Sequence, residues 1–292
     1  MIKIQCISPL RLVEYFSIAP MLFLILATCL LTAIPAKAAD LTFVEYGSNP
    51  VYDPPVPTDR AYYPCVLYDE NQFSGNGAAY YYKMWYADSQ AQFEAVTYSN
   101  DGITWSAPVE TAGILASGYH AKIIYIPGGY DAAPYYYKLW YWDSTGAVLY
   151  TIGSIRTADS TDGVNWVNDT AITQNAGAQL VTGISPDWNR GSYGPVSVHY
   201  NPTATNIDYT FTMYYDGTTG GYESIGLGYS ADGNTNWQIY GGSPVLDHGV
   251  PGGGDWDSDY ASFCSVIHGD DGLWRMWYSG SGPAGGASQG IG

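Results

Sequence analysis

Tyr82-Lys83-Met84-Trp85-Tyr86 decides the fold, because the chain writes it four times. The other copies are Tyr137-Lys138-Leu139-Trp140-Tyr141, Phe211-Thr212-Met213-Tyr214-Tyr215 and Trp274-Arg275-Met276-Trp277-Tyr278. Counted between Met84, Leu139, Met213 and Met276, they stand 55, 74 and 63 residues apart. Each is short, aromatic and β-prone, and spacings of this size point to blades of a propeller or another repeat array.

Each copy sits inside a longer phrase. Upstream is a second apolar run: Pro64-Cys65-Val66-Leu67-Tyr68, Ala121-Lys122-Ile123-Ile124-Tyr125, Pro195-Val196-Ser197-Val198-His199 and Cys264-Ser265-Val266-Ile267-His268. Downstream is a third strand closed by a turn, written Ser99-Asn100-Asp101-Gly102, Ser160-Thr161-Asp162-Gly163 and Ser230-Ala231-Asp232-Gly233, with Trp105, Trp166 and Trp237 following. Asp-Gly between strands predicts a two-residue primed hairpin, in which the central residues take positive φ. The module is therefore strand A, the aromatic strand B, strand C, the turn and a short strand D, an all-β chain built as a β-propeller of four-stranded blades. The competing architecture is a β-sandwich, which needs no internal repeat. Ser288-Gln289-Gly290-Ile291-Gly292 matches Ser224-Ile225-Gly226-Leu227-Gly228 at the start of strand C. The chain is thus expected to end inside the fourth recognisable repeat, as a fragment of a longer frame or with residues 41–51 closing the ring.

The first residues differ from the rest. Lys3 and Arg11, the apolar run opened by Met21-Leu22-Phe23-Leu24-Ile25-Leu26 and the small-x-small Ala36-Lys37-Ala38 read as a signal peptide over 1–38, with the propeller over 39–292. A retained anchor is the alternative, against which stand Pro35 and a run short of the ~20 residues a span needs. Export to the outside, the periplasm or the cell surface is expected, with no membrane partner after cleavage. Removing 1–38 takes the net charge from −17 to −19. That surface repels phosphate backbones, so nucleic acid is excluded as a partner, while neutral sugars and cations are admitted. Cys65 and Cys264 remain, and Cys264 aligns with Pro64, so the two sulfurs are expected on opposite strand faces as small buried hydrophobes in preference to a bridge.

With the modules laid out, the chain resembles the five-bladed propeller superfamily of arabinanases and xylosidases, invertases and levansucrases, and mannoside phosphorylases. The likeness rests on Trp256-Asp257, Ser265-Val266-Ile267, Met276-Trp277-Tyr278-Ser279-Gly280 and the Ser-x-Asp-Gly-x-x-Trp turn, and runs over roughly residues 45–292. It implies five blades, a carbohydrate partner and a central pocket whose carboxylates hydrolyse glycosidic bonds, one protonating the leaving oxygen while another activates water or attacks carbon. It also implies that Asp101, Asp162 and Asp232 are structural. The family's three carboxylates have no counterpart here: Tyr63 precedes Pro64, blade two has His120-Ala121-Lys122, and blade three has Tyr193-Gly194-Pro195.

The candidates are therefore carboxylates a few residues away. Asp59 is the first choice for a base, with Asp187 or Asp257 as partner, and Asp255 and Asp259 lie nearby; Glu223, on a glycine-flanked loop between strands B and C, is the candidate acid. Asp88, Asp143 and Asp216 each follow an aromatic strand, and the repetition argues for a shared turn role. Arg60, Tyr62, Tyr119, His120, Trp188, Arg190, Tyr193, Trp256 and Tyr260 are the candidate sugar contacts, and packing between blades would use the same aromatics. No zinc-type ligand spacing is present, so no cofactor is expected, although acidity alone admits calcium. Two readings stay open: a glycosidase, or a non-catalytic propeller that binds glycan or protein at the cell surface.

Overall fold

The computed structural model describes residues 47–54, 61–87, 93–114, 118–130, 135–143, 154–177, 179–184, 186–250, 253, 255–269, 271–282 and 289–292. The four copies of the aromatic phrase fall on second strands of successive antiparallel sets. The first set is β1 (Tyr62–Tyr68), β2 (Tyr82–Ala87), β3 (Phe93–Ser99) and β4 (Val109–Glu110); the second is β5 (Gly118–Tyr130), β6 (Tyr135–Asp143), β7 (Ser154–Ser160) and β8 (Trp166–Ala171). The third is β9 (Gly191–Tyr200), β10 (Phe211–Thr219), β11 (Tyr222–Ser230) and β12 (Gln238–Ile239), and a fourth comprises β13 (Tyr260–His268), β14 (Trp274–Ser281) and β15 (Gln289–Ile291). Sets three and four are joined by one parallel bridge, Glu223 to Tyr260. Helical structure among the described residues is limited to two 3-10 turns, Gln72–Gly75 and Ile207–Tyr209.

Apolar faces of neighbouring sets pack on each other. Trp85 and Val96 of the first meet Ile123, Leu139 and Trp166 of the second, and Trp140 and Ile155 of the second meet Met213 and Trp237 of the third. All these strands lie in one compact unit, Ser48–Gly292.

The Asp-Gly turns are not two-residue primed hairpins. Only the glycines take positive φ, 74° at Gly102, 79° at Gly163 and 74° at Gly233. The Asp side chain organises a longer turn: Asp101 Oδ1 accepts the amides of Ile103 (2.8 Å) and Thr104 (2.7 Å), and Ser99 Oγ accepts those of Asp101 and Gly102. Asp162 and Asp232 repeat the pattern with Ser160 and Ser230. The hydrogen bonds from Thr104 and Ile103 hold the exposed Asp101 carboxyl down to about 2.

The turn is also where the preceding set is anchored. Trp85 Nε1 donates to the Gly163 carbonyl at 2.7 Å and Trp140 Nε1 to that of Gly233 at 2.8 Å, so the aromatic strand of one set reaches the turn of the next. The buried Lys138 follows, donating to Asp159 and to Asn234. Single parallel bridges, Ala112 to Asn165 and Gln174 to Trp237, complete each seam.

Cys65 and Cys264 are both free; the Cys65 thiol is hydrogen-bonded to the backbone of Ile123, and Cys264 is buried. Two expectations of the turn type are corrected. Asp143 and Asp216 are strand residues, buried in β6 and β10, because the aromatic strands run on past their last aromatic; Asp88 lies outside the described residues.

Candidate active site

Strands β1, β5 and β13 each slip register against their partners near their first residues, between Tyr62 and Cys65, Tyr119 and Lys122, and Ser262 and Ser265. At each slip a side chain sits in the left-handed region: Tyr63 (φ 53°), His120 (φ 52°) and Phe263 (φ 53°). Such a conformation costs on the order of 1–2 kcal/mol for an L residue, and it re-aims the side chain out of the strand's alternation. β9 has Gly194 (φ 114°) beside its own register shifts.

These bulges converge. The rings of Tyr63 and His120 stack at 4.2 Å and those of His120 and Phe263 at 5.4 Å. A Cβ at Gly194 would stand 3.7 Å from that of His120. Between them is a cavity of about 480 Å³, lined by Tyr63, Pro64, His120, Lys122, Val196, Phe263 and Cys264, from the first strands of all four sets. Burial, and secondarily the Lys122 charge, push the His120 imidazole down to about 4, which favours the neutral ring at neutral pH.

Phe263 also lines a second cavity, of about 440 Å³, with Glu223, Tyr260, Ser262, Ser279, Gly280, Ser281 and Gly290. The carboxylate in it is not on a loop. Glu223 is the second residue of β11, buried, opposite Thr218 of β10, with its amide donating to the Asp259 carbonyl at 3.2 Å. Strand pairing fixes it there, against the expectation of a glycine-freed loop; Gly220 and Gly221 make only the turn before it.

On the same face, diagonal to Glu223 across the β10–β11 pair, is Asp216. Asp216 is fully buried, and its Oδ1 accepts the Phe263 amide at 3.1 Å. Asp216 Oδ2, Thr218 Oγ1 and Glu223 Oε2 are buried without a protein partner. Burial and then the Glu223 charge push the Asp216 carboxyl well above its usual range, with the Phe263 amide and Lys122 opposing. Burial raises Glu223 as well, with a hydrogen bond from Ser262 opposing. Burial on one face shifts both carboxyls toward the protonated form, and Glu223 is the one that lines a cavity.

The sequence matches no protein-family model and no curated protein. Solved structures do match. A xylan β-1,4-xylosidase from Bacillus halodurans C-125 aligns with 80% of this chain at 14% identity and a TM-score of 0.50, this chain spanning 41% of that protein's length. An endo-1,4-β-xylanase from Bacteroides thetaiotaomicron VPI-5482 aligns with 80% of this chain and 70% of its own, at 13% identity and a TM-score of 0.52. The chain has the β-propeller fold of these glycosidases.

The sequence candidates can now be placed on these strand sets. Tyr260 lines the Glu223 cavity, and Tyr62 is exposed beside Tyr63. Trp188 lies over Gly217 and Gly226, and Trp256 over Gly280 and Gly290; both indoles cover glycines on strands B and C of their own blade, which is packing. Asp257 accepts the Tyr278 hydroxyl at 2.6 Å and, with burial, pushes that phenol up to about 12. Asp187 and Arg190 are exposed in one turn, the Arg190 amide donating to the Asp187 carbonyl. The structure does not bring Asp187 or Arg190 into either cavity lining. Tyr119 and Tyr193 lie in β5 and β9. Asp59 and Arg60 lie outside the described residues. Among the described residues no three His, Cys, Asp or Glu side chains gather as a metal site.

Asp216, Tyr63 and Phe263 are what the sequence reading missed as site residues. For Asp216 a signal existed: it falls two residues after Tyr214 on one face of an aromatic strand, where a carboxyl is buried among apolar neighbours.

Proposed function

We propose that the chain is a secreted glycosidase-like propeller, five-bladed in its whole ring, that acts on an oligo- or polysaccharide with Glu223 as proton donor. One observation supports this above the rest: a buried carboxyl pair of which Glu223 lines a cavity together with Tyr260 and Phe263. Aromatic faces suit the C–H faces of a sugar ring, and a protonated Glu223 suits a leaving glycosidic oxygen. Asp216, diagonal to Glu223 and outside both cavity linings, is proposed as a positioning residue. The second carboxylate, base or nucleophile, is proposed as Asp59, with Asp257 and Asp187 next in order. Secretion follows from the reading of residues 1–38.

A binding-only propeller is favoured by a different observation. The three inner-strand bulges present Tyr63, His120 and Phe263, and none presents a carboxylate. The test is product release from arabino-, xylo-, fructo- and manno-oligosaccharides by the chain, beside Glu223→Gln. Release from one substrate, lost in the variant, supports the enzyme. Binding by calorimetry with no release from any overturns it in favour of the binding propeller.

A further inference from the structure

Four described basic side chains are fully accounted for. Lys83 donates to the Asn76 carbonyl and Tyr137 hydroxyl, Lys138 to Asp159 and Asn234, Arg156 to Asp169 and Tyr141, and Arg275 to Asp271. Lys122 is different. It is half-buried, it lines the central cavity, and it has no hydrogen-bond acceptor or salt-bridge partner among the described residues.

No described carboxylate forms an ion pair or hydrogen bond with it. The titratable groups that feel it come one from each blade: Cys65, His120, Asp216 and Cys264. Burial holds both thiols and the Asp216 carboxyl up, and the imidazole down, so each is shifted toward its neutral form. Tyr63 completes the ionisable lining. A cation at the blade junction, in a chain of net charge −17, is therefore a local inversion of the protein's field. Three stacked rings flank it, and about 480 Å³ has room for a pyranose ring.

We propose that the central cavity takes a sugar carrying an anionic substituent, a carboxylate or sulfate at C6, with Lys122 as the counter-charge and Tyr63, His120 and Phe263 as the stacking surface. This rests on carbohydrate being the ligand and adds the substrate class. Neutral rings would gain only the stacking, whereas an acidic ring also gains a charge-assisted hydrogen bond to Lys122.

Calorimetric titration of the chain decides it, with oligosaccharides ending in glucuronate or galacturonate, those ending in glucose 6-sulfate or galactose 6-sulfate, and their neutral glucose- or galactose-ended counterparts. Acidic sugars are expected to bind about ten- to a hundredfold tighter than neutral ones. Lys122→Met is expected to remove that advantage, and Lys122→Arg to restore most of it. Preference for uronate over sulfate, or the reverse, assigns the anion. Equal affinity for acidic and neutral sugars in the wild-type chain, no binding of either acid at millimolar concentration, or undiminished acid binding by a folded Lys122→Met overturns the proposal. The wild-type comparison stands even where the variant does not fold. Neutral oligosaccharides cleaved in a Glu223-dependent way, with no acid preference, would remove this inference and leave the glycosidase reading in place.

Discussion

Glu223→Gln is expected to lower turnover about 10²- to 10⁴-fold, the range for losing a general acid, and to make the protein more resistant to denaturant at pH 7. The two effects have one cause. A carboxyl held above its unfolded pKa binds more protons folded than unfolded, so stability falls as pH rises from the unfolded pKa toward the folded one. At neutral pH that penalty is in force for both Glu223 and Asp216. An amide at either position removes the titration and gives the remaining carboxyl a donor, where Asp216 Oδ2 and Glu223 Oε2 now have none. Asp216→Asn should therefore stabilise too, on the order of 1–3 kcal/mol. Equilibrium urea unfolding at pH 4.5 and 7.5 checks it: the variants gain over wild type at 7.5 and converge with it at 4.5. A variant less stable than wild type at pH 7.5 would show that the pair is a structural ion site and not a reservoir for a catalytic proton.

His120 bends the same pH curve in the opposite sense. Its folded pKa of about 4 lies below the unfolded value, so stability is fully present above the unfolded pKa and is lost as pH falls through the folded one. The loss amounts to at most about 3 kcal/mol, less for the part of the ring that water reaches. His120→Phe should flatten the acid limb between pH 6.5 and 4 while keeping the stack with Tyr63 and Phe263. Denaturant midpoints measured across that range provide the check.

What the sequence made legible follows from what sequence periodicity encodes. The aromatic phrase marks strand B, because both its faces must be apolar when blades pack on either side, and the four copies landed on β2, β6, β10 and β14. The Asp-Gly signal located each turn correctly but misassigned its chemistry. The pair looks the same whether Asp takes positive φ in a primed turn or stays at negative φ and caps the following amides with its carboxylate. The site was harder. Tyr63, His120 and Phe263 face the cavity only because register slips re-aim them, and a slip leaves no mark in a strand's alternation. Trp188 and Trp256 resembled sugar platforms by residue type, and only the glycines beneath them reveal packing. Glu223 was visible as an acid and misplaced on a loop; Asp216 was visible as a repeat of Asp143 and misread as a turn, since what sets it apart is burial on the Glu223 face.

Trp140→Ala is expected to destabilise the propeller by about 3–5 kcal/mol, the range for deleting a buried indole, and to do so across a seam instead of within one blade. The indole is fully buried, and its Nε1 is the donor to the Gly233 carbonyl, so truncation opens a cavity and orphans a buried acceptor in the next blade. Gly233→Ala attacks the same seam from the other side. Its φ of 74° is one that L residues seldom adopt, and an added Cβ would stand 2.8 Å from Lys138 Cε and 3.0 Å from Trp140 Cζ2. If the turn serves mainly as the dock for the preceding blade, the double variant should cost clearly less than the sum of the singles, because either change alone already undocks the pair. In a repeat array the seam terms are what couple the units, so the variants should also unfold with a lower m-value than wild type as blades begin to separate independently. Additive losses with an unchanged m-value would mean that the turn is held by its own Asp232 and Ser230 hydrogen bonds and that the tryptophan only fills space.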